Sequence, residues 1–177
     1  MATTIDEIAQ HLDNRDWTYT IDEAKSRVIA GVKGDNVEKF AIVIQLLRDG
    51  KSLQLYTPEL LKVKNHVYKG VLFQSLLSLM WDCNSVRFEY DPRDGELRAT
   101  IDLLLEDAPL TVQQFSSALS LLVEAVDSLM MPRMQSILAT GNDPGCKVLA
   151  NKILDGMSPE MIRLLEEAIR DRANPSS

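Results

Sequence analysis

The chain has 177 residues, 45% apolar and 25% charged, and its 19 Lys and Arg against 26 Asp and Glu leave a net charge of −7. That length buries a real core, and the negative field repels phosphate backbones, which disfavours nucleic-acid binding. The unbroken apolar runs fall short of the roughly 18–20 residues that a membrane helix needs.

The N-terminus lacks the basic and apolar regions of a secretory signal. Cys83 and Cys146 have neither C-x-x-C spacing nor partners for a disulfide framework. A soluble, cytoplasmic protein is predicted.

Thr4 followed three residues later by Glu7 has capping-box spacing, and Ile5, Ile8 and Leu12 share a helical face behind it. Trp17, Tyr19 and Ile21 then alternate as a short strand. After the polar turn at Asp22–Ser26, Val28, Ala30 and Val32 alternate as a second. Gly34-Asp35-Asn36 turns the chain into a third strand, with Phe40, Ile42, Ile44 and Leu46 on one face. Ala41 and Val43 make its other face apolar too, the pattern of a central, doubly covered strand. Asp49-Gly50 marks a hairpin, because Gly tolerates positive φ, and Leu53 and Leu55 return until Pro58.

A second helix is predicted from about His66 to Trp81, with Val67, Val71, Leu72, Leu76 and Leu79 inward. Val86, Phe88 and Tyr90 alternate, Asp91-Pro92-Arg93-Asp94-Gly95 turns, and Leu97, Ala99, Ile101, Leu103 and Leu105 alternate back. Thr111 and Gln114 form another capping box, behind which Val112, Phe115, Leu119, Leu122, Val126 and Leu129 trace a narrow seam. Pro132 interrupts that helix, which resumes with a kink through Ile137 and Leu138.

Gly141-Asn142-Asp143-Pro144-Gly145 separates residues 1–140 from a helical extension, 141–177. The extension reads as a short helix around Lys147–Leu154 and a second over Pro159–Arg172 with Ser158 as N-cap. The order α-β-β-β-β-α-β-β-α predicts an α+β fold, an antiparallel sheet flanked by helices.

Reaction chemistry is absent from these patterns. His11 and His66 have no His, Cys or Asp at i+3 or i+4 to complete a metal face. Cys83 follows Asp82, whose charge raises a thiol pKa rather than activating it. No phosphate-cradling Gly-rich loop is present, and Pro92, Arg93 and a missing downstream Glu spoil the calcium-loop spacing at Asp91–Glu96. No cofactor and no catalytic residue are assigned.

Two surface features remain. Lys62, Lys64, His66 and Lys69 fall in a stretch free of acids, either a docking patch for an acidic partner or a solvated loop. Met130, Met131, Met134, Met157 and Met161 gather late in the chain, as an adaptable contact surface or as gap fillers.

The element order, the Trp17 strand, Asp49-Gly50, Val86-Arg87-Phe88-Glu89-Tyr90 with Asp94-Gly95, and the long helix from Thr111 together resemble the YbjN-type bacterial sensory transduction regulator family. The resemblance covers residues 3–139 and carries no catalytic motif. It implies a type III secretion chaperone-like fold and a non-enzymatic protein that binds other proteins, often as a dimer. On that basis the expected function is a chaperone-like or regulatory protein-binding module acting as a homodimer. Trp17, Tyr19, Phe40 and Tyr56 would give apolar contact, and Lys62, Lys64 and Lys69 charge. The alternative is a small-molecule sensor with a pocket between sheet and helices.

Overall fold

Thr4 opens the first helix, α1 (Ile5–Asp13). Its hydroxyl accepts the Glu7 amide at 3.3 Å, and the Glu7 carboxylate accepts the Thr4 amide at 2.9 Å. This satisfies two of the first turn's orphan donors and turns Ile8 and Leu12 to the buried face. The computed structural model describes residues 3–145 and 154–173. Five strands follow α1: β1 (Tyr19–Asp22), β2 (Arg27–Val32), β3 (Phe40–Leu47), β4 (Ser52–Tyr56) and β5 (Leu61–Lys62). Then come α2 (Lys69–Asp82), the hairpin β6 (Arg87–Tyr90) and β7 (Glu96–Leu104), and α3 (Val112–Glu124). A π-helical stretch (Ala125–Met130) runs on into α4 (Met131–Thr140), and the last helix is α5 (Pro159–Ala173). The chain divides into two compact units, Met1–Asp143 and Pro144–Ser177.

Every strand pairing is antiparallel. Thr100 of β7 faces Tyr56 of β4 on one side and Arg87 of β6 on the other, and Leu97 faces Leu61 of β5 and Tyr90 of β6. Strands β4 and β5 therefore succeed one another along a single edge of β7. The sheet runs β1, β2, β3, β4 with β5, β7, β6, which leaves β1 and β6 as its edges.

Alternation assigns the two faces. Val28, Ile44, Leu55 and Ile101 stand in one register row and are fully buried or nearly so. On them pack Leu12 of α1 and Phe115, Leu119 and Leu122 of α3, each of which removes enough apolar area from water to contribute about 1.5–3 kcal/mol. A second cluster joins Leu72, Leu76 and Leu79 of α2 to Met134 and Ile137 of α4 and Leu97 of β7. Met130, Met131 and Met134 are buried, so these three fill gaps in the core, whereas Met161 on α5 is exposed.

The α+β class and the element order match the sequence reading, with several local differences. Trp17 precedes β1 rather than opening it. Helix α2 begins at Lys69, not His66, and Val67 is 81% exposed instead of inward. The reason is a turn in which His66 Nδ1 accepts the Tyr68 amide at 3.2 Å and the His66 carbonyl accepts that of Lys69 at 3.1 Å. Strand β5 is two residues long, too short to carry a period. Val112, at the first position of α3, is exposed. Pro132 does not break the helix. Because Pro has no amide hydrogen and its ring crowds the preceding turn, the helix widens to π geometry over Ala125–Met130 just before it. The resulting helical run, Val112–Thr140, is long and apolar enough to cross a membrane, yet half of its most apolar stretch is buried and it packs against the sheet.

In the second unit, α5 starts at Pro159 with the Ser158 hydroxyl accepting the Met161 amide at 3.3 Å. Met161, Leu164, Leu165 and Ile169 are exposed on it. Cys146 and most of the predicted Lys147–Leu154 helix fall outside the described residues.

Candidate protein-binding surfaces

The helices of the first unit that touch the sheet pack on one face of it. The opposite face is built from the alternate residues. One register row reads Thr20, Ile29, Val43, Tyr56, Thr100, Arg87, and the next reads Asp22, Arg27, Gln45, Gln54, Asp102. Val43 and Thr100 are buried, while most of the others are partly exposed.

A polar network crosses this open face. Arg27 Nε donates to Asp22 at 2.9 Å, which holds the guanidinium above its usual pKa. Gln54 Nε2 donates to Asp102 at 2.9 Å, and Arg87 pairs with the same carboxylate. Glu89 accepts from Arg87 at 3.0 Å and from Arg98 Nε at 2.7 Å. Burial pushes the Glu89 carboxyl up, but the two guanidiniums outweigh it and hold the group below its ordinary range. Arg98 also lies over the Tyr56 ring, 5.0 Å from the centroid, in cation–π geometry. Tyr56 is thus a pre-oriented aromatic surrounded by paired charges.

A second surface lies at the β6 edge. Leu77 and Trp81 of α2 are 67% and 87% exposed. Beside them Phe73, Leu76, Leu77, Met80, Phe88, Tyr90 and Leu97 line an open groove of about 260 Å³, with Glu89 its one charged lining residue. Single exposed apolar residues are ordinary, whereas a contiguous patch beside a strand edge left unpaired among the described residues is a candidate contact surface.

The expected contact residues are not gathered in one place. Tyr56 lies on the open face. Trp17 packs against the main core and lines a different hollow, of about 330 Å³, with Arg15, Lys33 and Asp127. Tyr19, on the β1 edge, donates its hydroxyl to Asp13 at 2.8 Å, which raises its pKa. Phe40 is buried in the core at 8% exposure. Lys62 ends β5, Lys64 lies in the loop that follows, and Lys69 opens α2. Lys62 pairs with Glu59 at 3.2 Å, Lys64 Nζ donates to the Arg93 carbonyl, and Lys69 Nζ donates to the Lys64 carbonyl at 3.1 Å.

The sequence reading passed over Arg87, Glu89, Arg98 and Asp102 as a group, although their alternation on β6 and β7 was the available signal. Among the described residues, no group of three His, Cys, Asp or Glu side chains is placed to hold a metal ion. His11 stacks on Phe115 with ring centroids 5.3 Å apart. Burial, helped by Asp82, raises the Cys83 thiol.

Residues 4–130 match the YbjN family, described as "Putative bacterial sensory transduction regulator". No curated protein matches the sequence significantly. Among solved structures, YbjN from E. coli superposes with a TM-score of 0.56 at 12% identity, covering 74% of this chain and 91% of that one. A chain of the ExsC-ExsE complex gives 0.51 at 19% identity, covering 73% and 97%. A chain of the HopA1-SchA chaperone-effector complex gives 0.46 at 15%, covering 66% and 84%. With more than two thirds of its length matched and the α+β fold shared, this chain belongs to the YbjN family.

Proposed function

We propose that the protein is a non-enzymatic, cytoplasmic protein-binding module, chaperone-like or regulatory, that acts as a homodimer. A protein partner is received on the open face of the sheet, around Tyr56. The observation that carries this reading is the one-sided architecture of the first unit, since among its described residues α1, α2 and α3 cover one sheet face and no helix of that unit packs on the other. An open sheet surface with one pre-oriented aromatic and paired charges suits a macromolecular partner better than a small ligand, which favours an enclosed apolar pocket. The family's regulators and the two-protein ExsC-ExsE complex, which shares the fold, are consistent with it.

The test is affinity capture from native cytoplasm with the wild-type chain and with Tyr56→Asp, after circular dichroism has shown both to be folded. The reading expects one protein in stoichiometric amount with the wild type and its loss with the variant. Capture that Tyr56→Asp leaves unchanged would remove the open face. No stoichiometric protein at all would favour the sensor reading, to be followed by thermal-shift screening of metabolites.

A further inference from the structure

Arg15 is the exception among the arginines of the first unit. Arg27, Arg48, Arg87, Arg93, Arg98 and Arg133 each sit in an ion pair, whereas Arg15 has none among the described residues. It is half-buried and, with Trp17, lines the hollow of about 330 Å³. The elements around that hollow are held in place. After α1 the Asp16 amide donates to the Asp13 carbonyl at 3.0 Å and the Trp17 amide to that of Leu12 at 3.2 Å. Asp16 takes the left-handed conformation this ending needs, with φ of 56°, so the point where Arg15 and Trp17 leave the helix is fixed. The loop that carries Lys33 and Asp35 is tied by its amides to Asp127. Asp127 and Ser128, both lining the hollow, belong to the π-helical stretch, a geometry that recurs at functional sites.

We propose that this hollow is a binding site for a small organic carboxylate with an apolar body. The Arg15 guanidinium takes the carboxylate in a bidentate, charge-assisted pair, and the Trp17 indole with Leu119 and Val123 of α3 takes the body. Lys33, also without an ion pair among the described residues, adds positive charge to the same hollow. The acids select the ligand's charge. Glu124 and Asp35 line the hollow too, so a phosphate or another dianion is repelled more strongly than a single carboxylate. Asp127 does not compete for Arg15, because its oxygens are taken by the amides of Asp35, Asn36 and Val37. Glu124 has no ion pair among the described residues and suits the ammonium of an α-amino acid, so simple acids and amino acids share the required chemistry. The hollow has no residue in common with the two open-face rows around Tyr56, so the site does not rest on the protein-binding reading.

The probes are phenylpropanoate, its neutral amide phenylpropanamide, and the amino acid phenylalanine, each titrated by calorimetry into the full chain. In Trp81→Phe, Trp17 is the remaining tryptophan, and its fluorescence reports where a probe sits. The expected result is saturable binding of phenylpropanoate that alters Trp17 fluorescence and is about tenfold or more tighter than that of the amide. Arg15→Gln should bring the acid down to the affinity of the amide and leave the amide unaffected. Phenylalanine that binds tighter than the acid, and loses that advantage in Glu124→Gln, would make the ligand an amino acid. Weaker binding of phenylalanine would make it a simple acid. Equal affinity for acid and amide, or acid binding that Arg15→Gln leaves intact, would overturn the site. So would the absence of saturable binding of both acid and amino acid at millimolar concentration. The comparison of acid with amide in the wild type decides even where Arg15→Gln proves less stable.

Discussion

Asp127 and Gly34 are pressed together: a Cβ on Gly34 would overlap Oδ1 of Asp127, come within 2.6 Å of its Cγ, and lie 3.0 Å from the Val37 carbonyl. The carboxylate is there because it accepts three successive backbone amides of the β2–β3 loop, those of Asp35, Asn36 and Val37, at 3.1, 2.9 and 2.9 Å. Asp127 is 5% exposed and sits on the π-helical stretch, so it ties that helix to the loop across 90 to 92 residues of sequence. Charge-assisted bonds of this kind contribute about 1.5–3 kcal/mol each, less here because the freed amides can take water. Asp127→Ala should therefore cost about 2 kcal/mol. Gly34→Ala should destabilise as well, because the neighbour it meets is held by three bonds. In the double variant the two losses should fall short of their sum, and strict additivity in urea unfolding would show that the contact is not shared.

The same carboxylate shapes stability in acid. Burial pushes Asp127 up, but the amides of Asn36, Val37 and Asp35 outweigh it and hold its pKa below the ordinary value. Glu89 is lowered likewise by its two arginines, and Asp91, bonded to the Arg93 side chain and amide, is lowered to about 2. A carboxyl lowered on folding adds stability above its unfolded pKa, near 4, and loses it as pH falls through the folded value. Melting temperatures should thus be insensitive to these groups near neutrality and drop below about pH 4. The gap between wild type and Asp127→Asn should narrow as pH falls across that range. A gap of constant width would mean that the charge of Asp127 contributes nothing.

The sheet was readable in advance wherever polar and apolar residues alternate, as in Leu97, Ala99 and Ile101 of β7. What alternation cannot supply is the pairing of distant strands. Gln54 and Asp102 are 48 residues apart and Asp127 and Asn36 are 91 apart, so neither contact has a local signature. Helix α2 hides its outer face for another reason. Val71, Leu72, Phe73, Leu76, Leu77, Leu79, Met80 and Trp81 are apolar almost all round, and periodicity cannot say which of them faces out. Leu72, Leu76 and Leu79 are inside as the sequence reading expects, but only the packed structure shows that Leu77 and Trp81 are left to solvent.

The lysine loop admits a test that separates partner binding from folding. Lys64 and Lys69 reach carbonyls of their own chain, so reversing them alters the loop itself. Lys62 has an exposed ion pair with Glu59 and stands opposite Glu96 on β7, contacts worth little to stability. Lys62→Glu should lower thermal stability only slightly, since it sets one exposed like-charge pair across the strands. If the loop docks an acidic partner, the variant should weaken capture of that partner several-fold and flatten its salt dependence. Unaltered capture by Lys62→Glu would return the loop to a solvated role.

Gly141 ends α4 with φ of +76°, its amide donating to the Ile137 carbonyl at 2.8 Å, and a Cβ there would lie 2.5 Å from the Tyr68 ring. Two separate penalties therefore meet in Gly141→Ala. A left-handed backbone costs a non-glycine residue about 1–2 kcal/mol, and the ring must move besides. Tyr68 packs on the cluster between α2 and α4, so its displacement is felt there. The backbone penalty is indifferent to what residue 68 is, whereas the steric one vanishes when the ring is removed. In a Tyr68→Ala background, Gly141→Ala should accordingly cost only the backbone part, about 1–2 kcal/mol, and more than that in the wild type. Equal costs in both backgrounds would mean that the ring yields freely and that the helix end, not the ring, selects glycine.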